Sequence, residues 1–457
     1  MSETKLVVLD DDPTGSQTVH GCLLLTRWDV DTLREALLDA APLFFVLTNT
    51  RGMEAARAEA LTREVCRNLK TALRALARDG RAIDPILISR SDSTLRGHYP
   101  VETDAIADEL GPFDAHFVIP AFIEGGRITR GGVHYLLVDG QPVPVNETEF
   151  ARDAVFGYRH AFLPDYVEEK TRGRIPAGQV ERFSLADVRG GCLERLLALS
   201  GNVACVVDAE SQADLDAFAA DLKAAAGQGR RFLCRSAAGI VSALAALPPQ
   251  PVAAEDMSRY VRGGQPGAVL VGSHVEKTTR QLQQLLREPG VEPIEVDLLR
   301  LPDQAQALRE DVLDRIAATH LRGDTAVIFT SRKEHTFADE QTRLAFGERV
   351  STFLMEIVRH LPTDIGFLIS KGGITSNDVL SQGLALRTAR VLGQILPGCS
   401  MVCCPKDHPQ FPDLPVVIFP GNVGDDSALT TVYRRLEKPV SGVARSNDAE
   451  SEEIGLR

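Results

Sequence analysis

Two segments near the start of the chain concentrate acidic, hydroxyl and guanidinium side chains. The first, Asp10-Asp11-Asp12-Pro13-Thr14-Gly15-Ser16, directly follows an apolar run. Three adjacent carboxylates repel one another unless a cation or a cluster of hydrogen-bond donors compensates them. A magnesium ion, a nearby arginine or a substrate hydroxyl would each provide that compensation. The structural alternative is an acidic turn that caps a helix.

The second segment runs from Ser89 to His98 and offers four hydroxyls, one carboxylate, two guanidiniums and one imidazole. A polyhydroxylated acid requires this mixture, because arginine binds its carboxylate while serine, threonine and aspartate bind its hydroxyls. Arg51 and Arg127 also follow apolar runs, and we expect both to face the same opening as these two segments. Each arginine could bind an anion or form an ordinary surface ion pair. His98 and the later His274 are weaker candidates.

Three glycine-bearing turns in the second half of the chain indicate a different kind of site. They are Gly272-Ser273-His274, Gly372-Gly373-Ile374-Thr375-Ser376 and Gly421-Asn422-Val423-Gly424-Asp425-Asp426-Ser427. Glycine permits close approach of the backbone, and exposed N–H groups in such turns bind phosphate oxygens. Neither a Walker A sequence nor G-x-G-x-x-G is present. Each turn alone could simply connect a strand to a helix, but together the three turns predict a phosphate-binding domain.

Short apolar runs precede these motifs and predict the strands that position them. Runs of about four or five apolar residues are typical of parallel strands buried on both faces. The predicted strands include Leu6–Leu9, Phe44–Leu47, Ile86–Ile88, Phe117–Ile119, Ala268–Val271, Ala326–Phe329, Phe367–Ile369 and Val416–Phe419. Helical spacing of apolar residues predicts helices at Arg57–Ala77, Asp214–Ala226, Asp303–His320 and Ala338–His360.

This alternation predicts an α/β fold of two domains, each with a mainly parallel β-sheet flanked by helices, with the active-site cleft between them. Proline and glycine clusters at Leu247–Val252 and Arg262–Gly267 indicate the boundary. We predict an N-terminal domain over residues 1–247 and a C-terminal domain over residues 266–437. Residues 138–176 are predicted to be an insertion, either a lid or a surface excursion, and residues 438–457 a disordered tail.

The composition argues against several classes of protein. The 457 residues include 50 basic and 63 acidic side chains, for a formal net charge of −13, and no dense basic run. Nucleic-acid binding requires a concentrated positive surface and is therefore not expected. Without a stretch of about 18 apolar residues, no membrane span is expected. The lack of a signal peptide and the eight scattered cysteines predict reduced thiols and a cytoplasmic location.

Taken in order, the motifs resemble those of the four-carbon acid sugar kinase family. One set is Asp-Asp-x-Thr-Gly at Asp11 to Gly15, Asp-Ser-Thr-x-x-Gly at Asp92 to Gly97, and Pro120-Ala121 followed by Gly126-Arg127; the three glycine turns form the second set. The resemblance covers nearly the whole chain except residues 138–176 and the tail. It implies an ATP-dependent kinase that phosphorylates a hydroxyl of threonate, erythronate or an oxo-tetronate.

The resemblance also implies that the N-terminal domain binds the acid and the C-terminal domain the nucleotide. The residues implied for the acid are Asp11, Asp12, Arg51, Ser91, Asp92, Ser93, Thr94 and Arg127. Those implied for ATP are Ser273, Gly372, Gly373, Ile374, Thr375, Gly421, Asn422, Val423 and Gly424. Among Asp11, Asp12 and Asp92, one carboxylate would accept the hydroxyl proton and another would hold Mg²⁺, directly or through water. We choose Asp12 as the base and leave the metal ligands and any homo-oligomer unassigned.

The chain departs from the family pattern at three positions. Ile374 stands where the family often has glutamate, Pro13 where phenylalanine is common, and Asp10 adds a third acid. The missing carboxylate at Ile374 keeps open a second hypothesis, a sugar-acid-binding regulatory protein without transfer activity. A dinucleotide-dependent oxidoreductase is a third, and the absent G-x-G-x-x-G weighs against it.

Overall fold

The computed structural model describes residues 3–332 and 339–437. Its strands are β1 (Glu3–Asp10), β2 (Leu23–Leu25), β3 (Leu43–Leu47), β4 (Ile83–Arg90), β5 (Ala115–Ile119), β6 (Arg127–Arg130), β7 (Val133–Val138), β8 (Gln141–Pro144), β9 (Glu181–Phe183), β10 (Val203–Val207), β11 (Phe232–Ser236), β12 (Ala268–Val271), β13 (Val291–Val296), β14 (Thr325–Thr330), β15 (Leu368–Lys371), β16 (Thr388–Leu396), β17 (Cys399–Cys403) and β18 (Pro415–Phe419). The residues predicted to form a disordered tail lie outside the described ranges.

The helices cover both faces of the sheet that these strands form. They are α1 (Val30–Leu38), α2 (Ala55–Arg78), α3 (Val101–Leu110), α4 (Leu163–Lys170), α5 (Leu185–Gly190), α6 (Leu193–Ala198), α7 (Gln212–Gly227), α8 (Ala238–Ala245), α9 (Glu276–Leu285), α10 (Leu301–Leu321), α11 (Glu340–Arg359), α12 (Gly373–Asp378) and α13 (Ala428–Glu437). Among the described residues, none of these helices is both long and apolar enough to cross a lipid bilayer.

The predicted α/β fold with two mainly parallel strand groups is confirmed. In the N-terminal domain the parallel strands follow the order β2-β3-β1-β4-β11-β5-β10-β9, and in the C-terminal domain the order β13-β14-β12-β15-β18. All five residues of β3 and of β18 are buried, which explains their uninterrupted apolar sequences. The helix α2 buries residues at three- and four-residue spacing and exposes the rest, as its sequence predicts.

The two strand groups are parts of one 15-stranded sheet, which the sequence analysis did not predict. The antiparallel strands β16 and β17 join them, because β17 pairs with β18 and β16 pairs with β2. The two groups therefore run in opposite directions. Sheets twist by about 20–25° per strand, and six steps separate β1 from β15. A typical twist over six steps amounts to about 120–150°, and it accounts for the loops of both strand groups that line one cavity.

Residues 138–176 support the polar loop that follows β4. They include β8 and α4, and they continue a separate three-stranded antiparallel sheet of β6, β7 and β8. The hydroxyl of Tyr158 donates a hydrogen bond to the carbonyl of Thr94 (2.8 Å), and the hydroxyl of Tyr166 donates to the carbonyl of Leu95 (2.9 Å). These two hydrogen bonds join the segment to the loop that carries Asp92.

Candidate active site

The first aspartate of the turn after β1 is withdrawn from solvent. Asp10 is fully buried, and its Oδ1 accepts a hydrogen bond from Arg90 Nη1 (3.1 Å). Its Oδ2 is buried and accepts no hydrogen bond from the described residues. Burial raises the pKa of Asp10 to about 7, although the positive charge of Arg90 opposes the shift. Asp10 and Arg90 therefore form an incompletely satisfied ion pair behind the turn.

Arg51 compensates the negative charge of the other two aspartates. A nearby arginine is one of the three compensating groups that the sequence analysis considered. Its Nη2 donates to Asp11 Oδ1 (2.5 Å) and its Nη1 to Asp12 Oδ2 (3.2 Å). The side chain of Asp11 is 2% exposed, whereas that of Asp12 is 23% exposed. Burial raises the pKa of Asp12, but Arg51 and the hydrogen bonds from Thr14 outweigh burial and hold it below its usual value. Asp12 is thus an ionised carboxylate with access to solvent.

The loop after β4 holds a second ionised carboxylate. Asp92 Oδ2 accepts hydrogen bonds from Arg96 Nε (2.8 Å) and from the Thr94 hydroxyl. Burial raises the pKa of Asp92, but Arg51 and Arg96 hold it well below its usual range. The guanidinium of Arg96 also lies 4.9 Å from the centre of the Phe150 ring, which fixes its orientation.

A buried polar network fixes Asp11 from behind. The Ser91 hydroxyl donates to Asp11 Oδ2 (2.7 Å) and accepts from Arg235 Nη2 (2.6 Å), and Arg235 Nη1 donates to Glu102 Oε2 (2.6 Å). Gly97 adopts φ +117°, and a Cβ there would collide with the Ser91 hydroxyl and the Arg235 guanidinium. The loop therefore requires glycine at this position.

Replacing Glu102 by alanine is expected to lower the free energy of unfolding by about 3–5 kcal/mol, because it leaves the Arg235 guanidinium buried without its counter-charge. The two side chains are only 6% and 7% exposed. Urea unfolding measures the change. Asp104→Ala is the control. Asp104 lies on the same helix as Glu102, and its ion pair with Arg174 is exposed. Its loss should lower the free energy of unfolding by about 1 kcal/mol or less. Equal losses in the two variants would contradict a buried network.

Arg127, at the start of β6, faces the cleft with unused donors. Its Nη1 donates to the carbonyl of Gly125, and its Nε is buried without a hydrogen-bond partner in the described structure. Burial lowers the pKa of Arg127, and Asp92 opposes that shift. A guanidinium with spare N–H groups in a partly dry position is suited to bind a carboxylate.

In the C-terminal domain, α9 holds the turn that follows β18. Thr278 Oγ1 donates to the carbonyl of Gly421 (2.9 Å), and Gln281 Nε2 donates to the carbonyl of Val423 (3.0 Å). The backbone N–H groups of residues 421–424 make no hydrogen bond to the described residues. Side chains thus hold two carbonyls of this turn while its N–H groups have no partner among the described residues, a pattern that is typical of turns that bind anions.

The turn after β15 lies against the first glycine turn. Gly372 adopts φ +125°, and a Cβ there would lie 3.0 Å from Thr375 Oγ1 and 3.2 Å from Ser273 Cβ. Only glycine allows the Thr375 and Ser273 side chains to approach this closely. Ile374 is 74% exposed, so the residue that replaces the family's glutamate makes little contact with the turn.

One cavity of about 570 Å³ lies between the two domains. From the N-terminal domain it is lined by Asp12, Thr14, Gln17, Arg51, Arg90, Asp92, Ser93, Arg96, Phe122, Glu124, Gly125, Arg127, Ala237 and Ala238. From the C-terminal domain it is lined by Gly373, Pro397, Gly398, Pro420, Gly421, Asn422, Val423 and Gly424. The acidic and guanidinium loops of one domain thus face the glycine turns of the other across a shared space.

The structure brings most of the predicted ligand-contacting residues to this cavity, while the others do not line it. On the acid side, those that do not line it are Asp11, Ser91 and Thr94. On the nucleotide side, those that do not line it are Ser273, Gly372, Ile374 and Thr375. In this arrangement Asp11 and Ser91 position Arg51, and Ser273 and Thr375 pack beneath the glycine turns.

Two arginines that line the cavity, Arg90 and Arg96, were predicted only as the guanidiniums of their segment and not as individual site residues. Both belong to the Ser89–His98 segment, so the signal was available, but their orientation depends on Asp10 and Asp92. The buried Lys371 was also missed, because a lysine directly before a glycine turn is typical of an exposed position.

Neither of the two candidate histidines lines the cavity. His98 Nε2 lies 3.1 Å from the carbonyl oxygen of Thr50 and 3.0 Å from that of Met53, so it fixes the turn that carries Arg51. His274 Nε2 lies 3.1 Å from Thr330 Oγ1 at the end of β14. Both imidazoles have structural contacts that account for them.

Comparison with protein families defines the class. A sugar-binding N-terminal domain model matches residues 6–244, and a nucleotide-binding C-terminal domain model matches residues 268–429. The protein therefore combines an N-terminal domain of the sugar-binding type with a C-terminal domain of the nucleotide-binding type, and residues of both domains line the cavity described above. A crystal structure of the Haemophilus influenzae protein HI1011 has the same fold, with a TM-score of 0.64 and 17% identity over 93% of this chain and 98% of that one.

Two curated relatives carry names that agree with the motif resemblance. A D-erythronate kinase of Heliobacterium modesticaldum is 33% identical over 226 residues, 47% of each chain, so the match spans about half the length of that relative. A D-threonate kinase of Cupriavidus necator is 26% identical over 78% of this chain and 81% of that one. Together with the two domain models, these relatives place the chain in the four-carbon acid sugar kinase family, which confirms the resemblance inferred from the motifs.

Proposed function

We propose that the protein transfers the γ-phosphoryl group of ATP to a hydroxyl of a four-carbon sugar acid such as threonate, erythronate or an oxo-tetronate. The observation that carries the proposal is a cavity between the two domains, with carboxylates and guanidiniums on one wall and glycine turns on the other. Phosphoryl transfer requires mainly that two substrates are positioned and their charge stabilised, and a cleft of this kind provides both.

The acid is proposed to bind to the guanidinium-rich wall. Arg51, Arg90, Arg96 and Arg127 all line the cavity. Three of them pair with aspartates, whereas Arg127 contacts only a backbone carbonyl. Arg127 is therefore the group best placed to bind the substrate carboxylate, and Asp12, Asp92 and Ser93 offer acceptors and a hydroxyl for the substrate hydroxyls.

Asp12 is proposed as the general base. Of the three aspartates in the turn after β1, it alone lines the cavity. It is ionised at neutral pH, because Arg51 and Thr14 hold its pKa below the usual value. An ionised carboxylate at the cleft surface can accept the hydroxyl proton as the oxygen attacks the γ-phosphorus.

Magnesium would enter this cleft with the nucleotide. Within the described residues, no group of three His, Cys, Asp or Glu side chains could hold a metal ion. Mg²⁺ often keeps several waters and needs only one or two carboxylates beside the phosphates, and Asp92 at the cavity wall fits that requirement. When bound, the ion neutralises part of the phosphate charge.

The proposal is tested by measuring ADP release from ATP with a panel of C4 sugar acids, with and without Mg²⁺. We expect acid-dependent release above the slow rate without acid, and a phosphomonoester of the acid in the ³¹P NMR spectrum. Binding of both ligands without any phosphorylated product would instead identify the non-catalytic, regulatory alternative.

A further inference from the structure

Lys371 occupies an unusual position beneath the two glycine turns that face the cleft. It is the last residue of β15, directly before Gly372, and it is fully buried. Its Nζ donates to the carbonyls of Pro420 (2.6 Å) and Gly421 (3.3 Å) and lies 3.9 Å from the centre of the Phe419 ring. The ammonium group therefore joins the turn after β15 to the turn after β18.

No carboxylate among the described residues pairs with this buried ammonium group. The titratable groups that face it are Lys277 on α9, which repels its charge, and Cys399 on β17. Burial raises the pKa of the Cys399 thiol, so this thiol is uncharged and supplies no counter-ion. A buried charge without a partner is costly, and natural sites usually compensate it.

Two further cations point at the same group of turns. Lys277 Nζ donates to the carbonyl of Asn422 (3.3 Å), and Arg332 Nη1 donates to the carbonyl of Ser273 (2.5 Å). Arg332 has two more nitrogens that are buried without hydrogen-bond partners in the described structure. The glycine turns thus have cations bound to their carbonyls, and the N–H groups of residues 421–424 have no partner among the described residues. An anion would balance this positive charge.

We propose that Lys371 is the positioning residue whose charge, acting through the Gly421 turn, balances the phosphates of the bound nucleotide. This inference rests on the proposed function, because it takes the nucleotide as the ligand of these turns. By holding the carbonyls of Pro420 and Gly421, Lys371 also directs the N–H groups of residues 421–424 toward the cleft. Loss of the side chain removes both the charge and this orientation.

The inference predicts that nucleotide binding takes up a proton. In the free protein, burial lowers the pKa of Lys371 to about 7. Nearby phosphates stabilise the ammonium form and raise that pKa in the complex. Affinity is therefore greatest below pH 7 and falls as pH rises above 7, by up to about tenfold per pH unit, until the pH reaches the pKa of the complex.

The test is calorimetric titration of the full-length protein with ADP at pH 8, in two buffers of different ionisation enthalpy. We expect uptake of up to about one proton, because a group of pKa about 7 is mostly neutral at that pH. Lys371→Met is expected to bind ADP at least tenfold more weakly at pH 6.5, with no proton uptake at pH 8. A thermal shift of this variant with erythronate or threonate verifies that the acid-binding domain is folded.

Lys277→Met is the matched control, since it removes a cation from the same turn and keeps Lys371. It should weaken ADP binding and retain the proton uptake. ADP binding by the parent without proton uptake, together with equal affinity in Lys371→Met, would overturn the role of Lys371 and leave the proposed kinase intact. If the parent binds no nucleotide at all, the proposed function itself fails.

Discussion

Replacing Asp12 by asparagine is expected to lower kcat by about 10²–10⁴-fold, the usual contribution of a general base. Asparagine keeps the size of the side chain but cannot accept the hydroxyl proton. The Kd for ADP should change little, because Asp12 lies on the opposite wall of the cleft from the glycine turns. Steady-state kinetics with a saturating acid, together with ADP titration, measure both quantities.

Asp92→Asn is the matched comparison for this prediction. Asp92 also lines the cavity and is also ionised. Arg96 and Thr94 bind its carboxylate in the way that Arg51 and Thr14 bind that of Asp12. We expect loss of the Asp92 carboxylate to raise either the Mg²⁺ concentration needed for half-maximal activity or the KM for the acid. If Asp92→Asn lost the larger part of kcat while Asp12→Asn kept the parent value, the roles of the two carboxylates would have to be exchanged.

Replacing Arg127 by alanine is expected to raise the KM for the sugar acid by about 10- to 100-fold. A hydrogen bond to a charged group contributes about 1.5–3 kcal/mol, which corresponds to a change of this size. The KM for ATP should stay within a factor of about two, because Arg127 belongs to the acid-binding wall. The measurement is a matrix of initial rates in which both substrates are varied.

Arg130→Ala provides the control, since Arg130 lies on the same strand but pairs with Glu210 at an exposed position. It should leave both KM values unchanged. An unaltered KM for the acid in Arg127→Ala would remove this arginine from the binding of the carboxylate. The unused donors of Arg127 would then need another explanation.

Much of the fold could be predicted because its strands are buried on both faces. The apolar runs at Leu6–Leu9 and Val416–Phe419 lie within β1 and β18, and the polar segments after them form the cavity wall. The helix predicted at Arg57–Ala77 is α2, since its apolar spacing matches the face that it buries. These features depend on local sequence, which a single chain displays directly.

The joining of the two domains could not be predicted, because it depends on pairing between distant residues. Leu25 pairs with Thr388 where β2 meets β16. The local sequence of either strand does not show which distant strand it pairs with or in which register. The same limit applies to the site. The spacing of Asp10, Asp11 and Asp12 does not tell which carboxylate reaches the cleft, since that depends on Arg51 and Arg90 from other strands.

The central claim is that a sugar acid and a nucleotide meet in the cavity between the domains. A crystal structure with a C4 sugar acid and a non-hydrolysable ATP analogue tests it most directly. We expect the acid at Arg127 and Asp12, the γ-phosphate at residues 421–424, and an acid hydroxyl about 3–3.5 Å from the γ-phosphorus. An acid bound elsewhere, for example in the neighbouring cavity beside His20 and Gln250, would contradict the account.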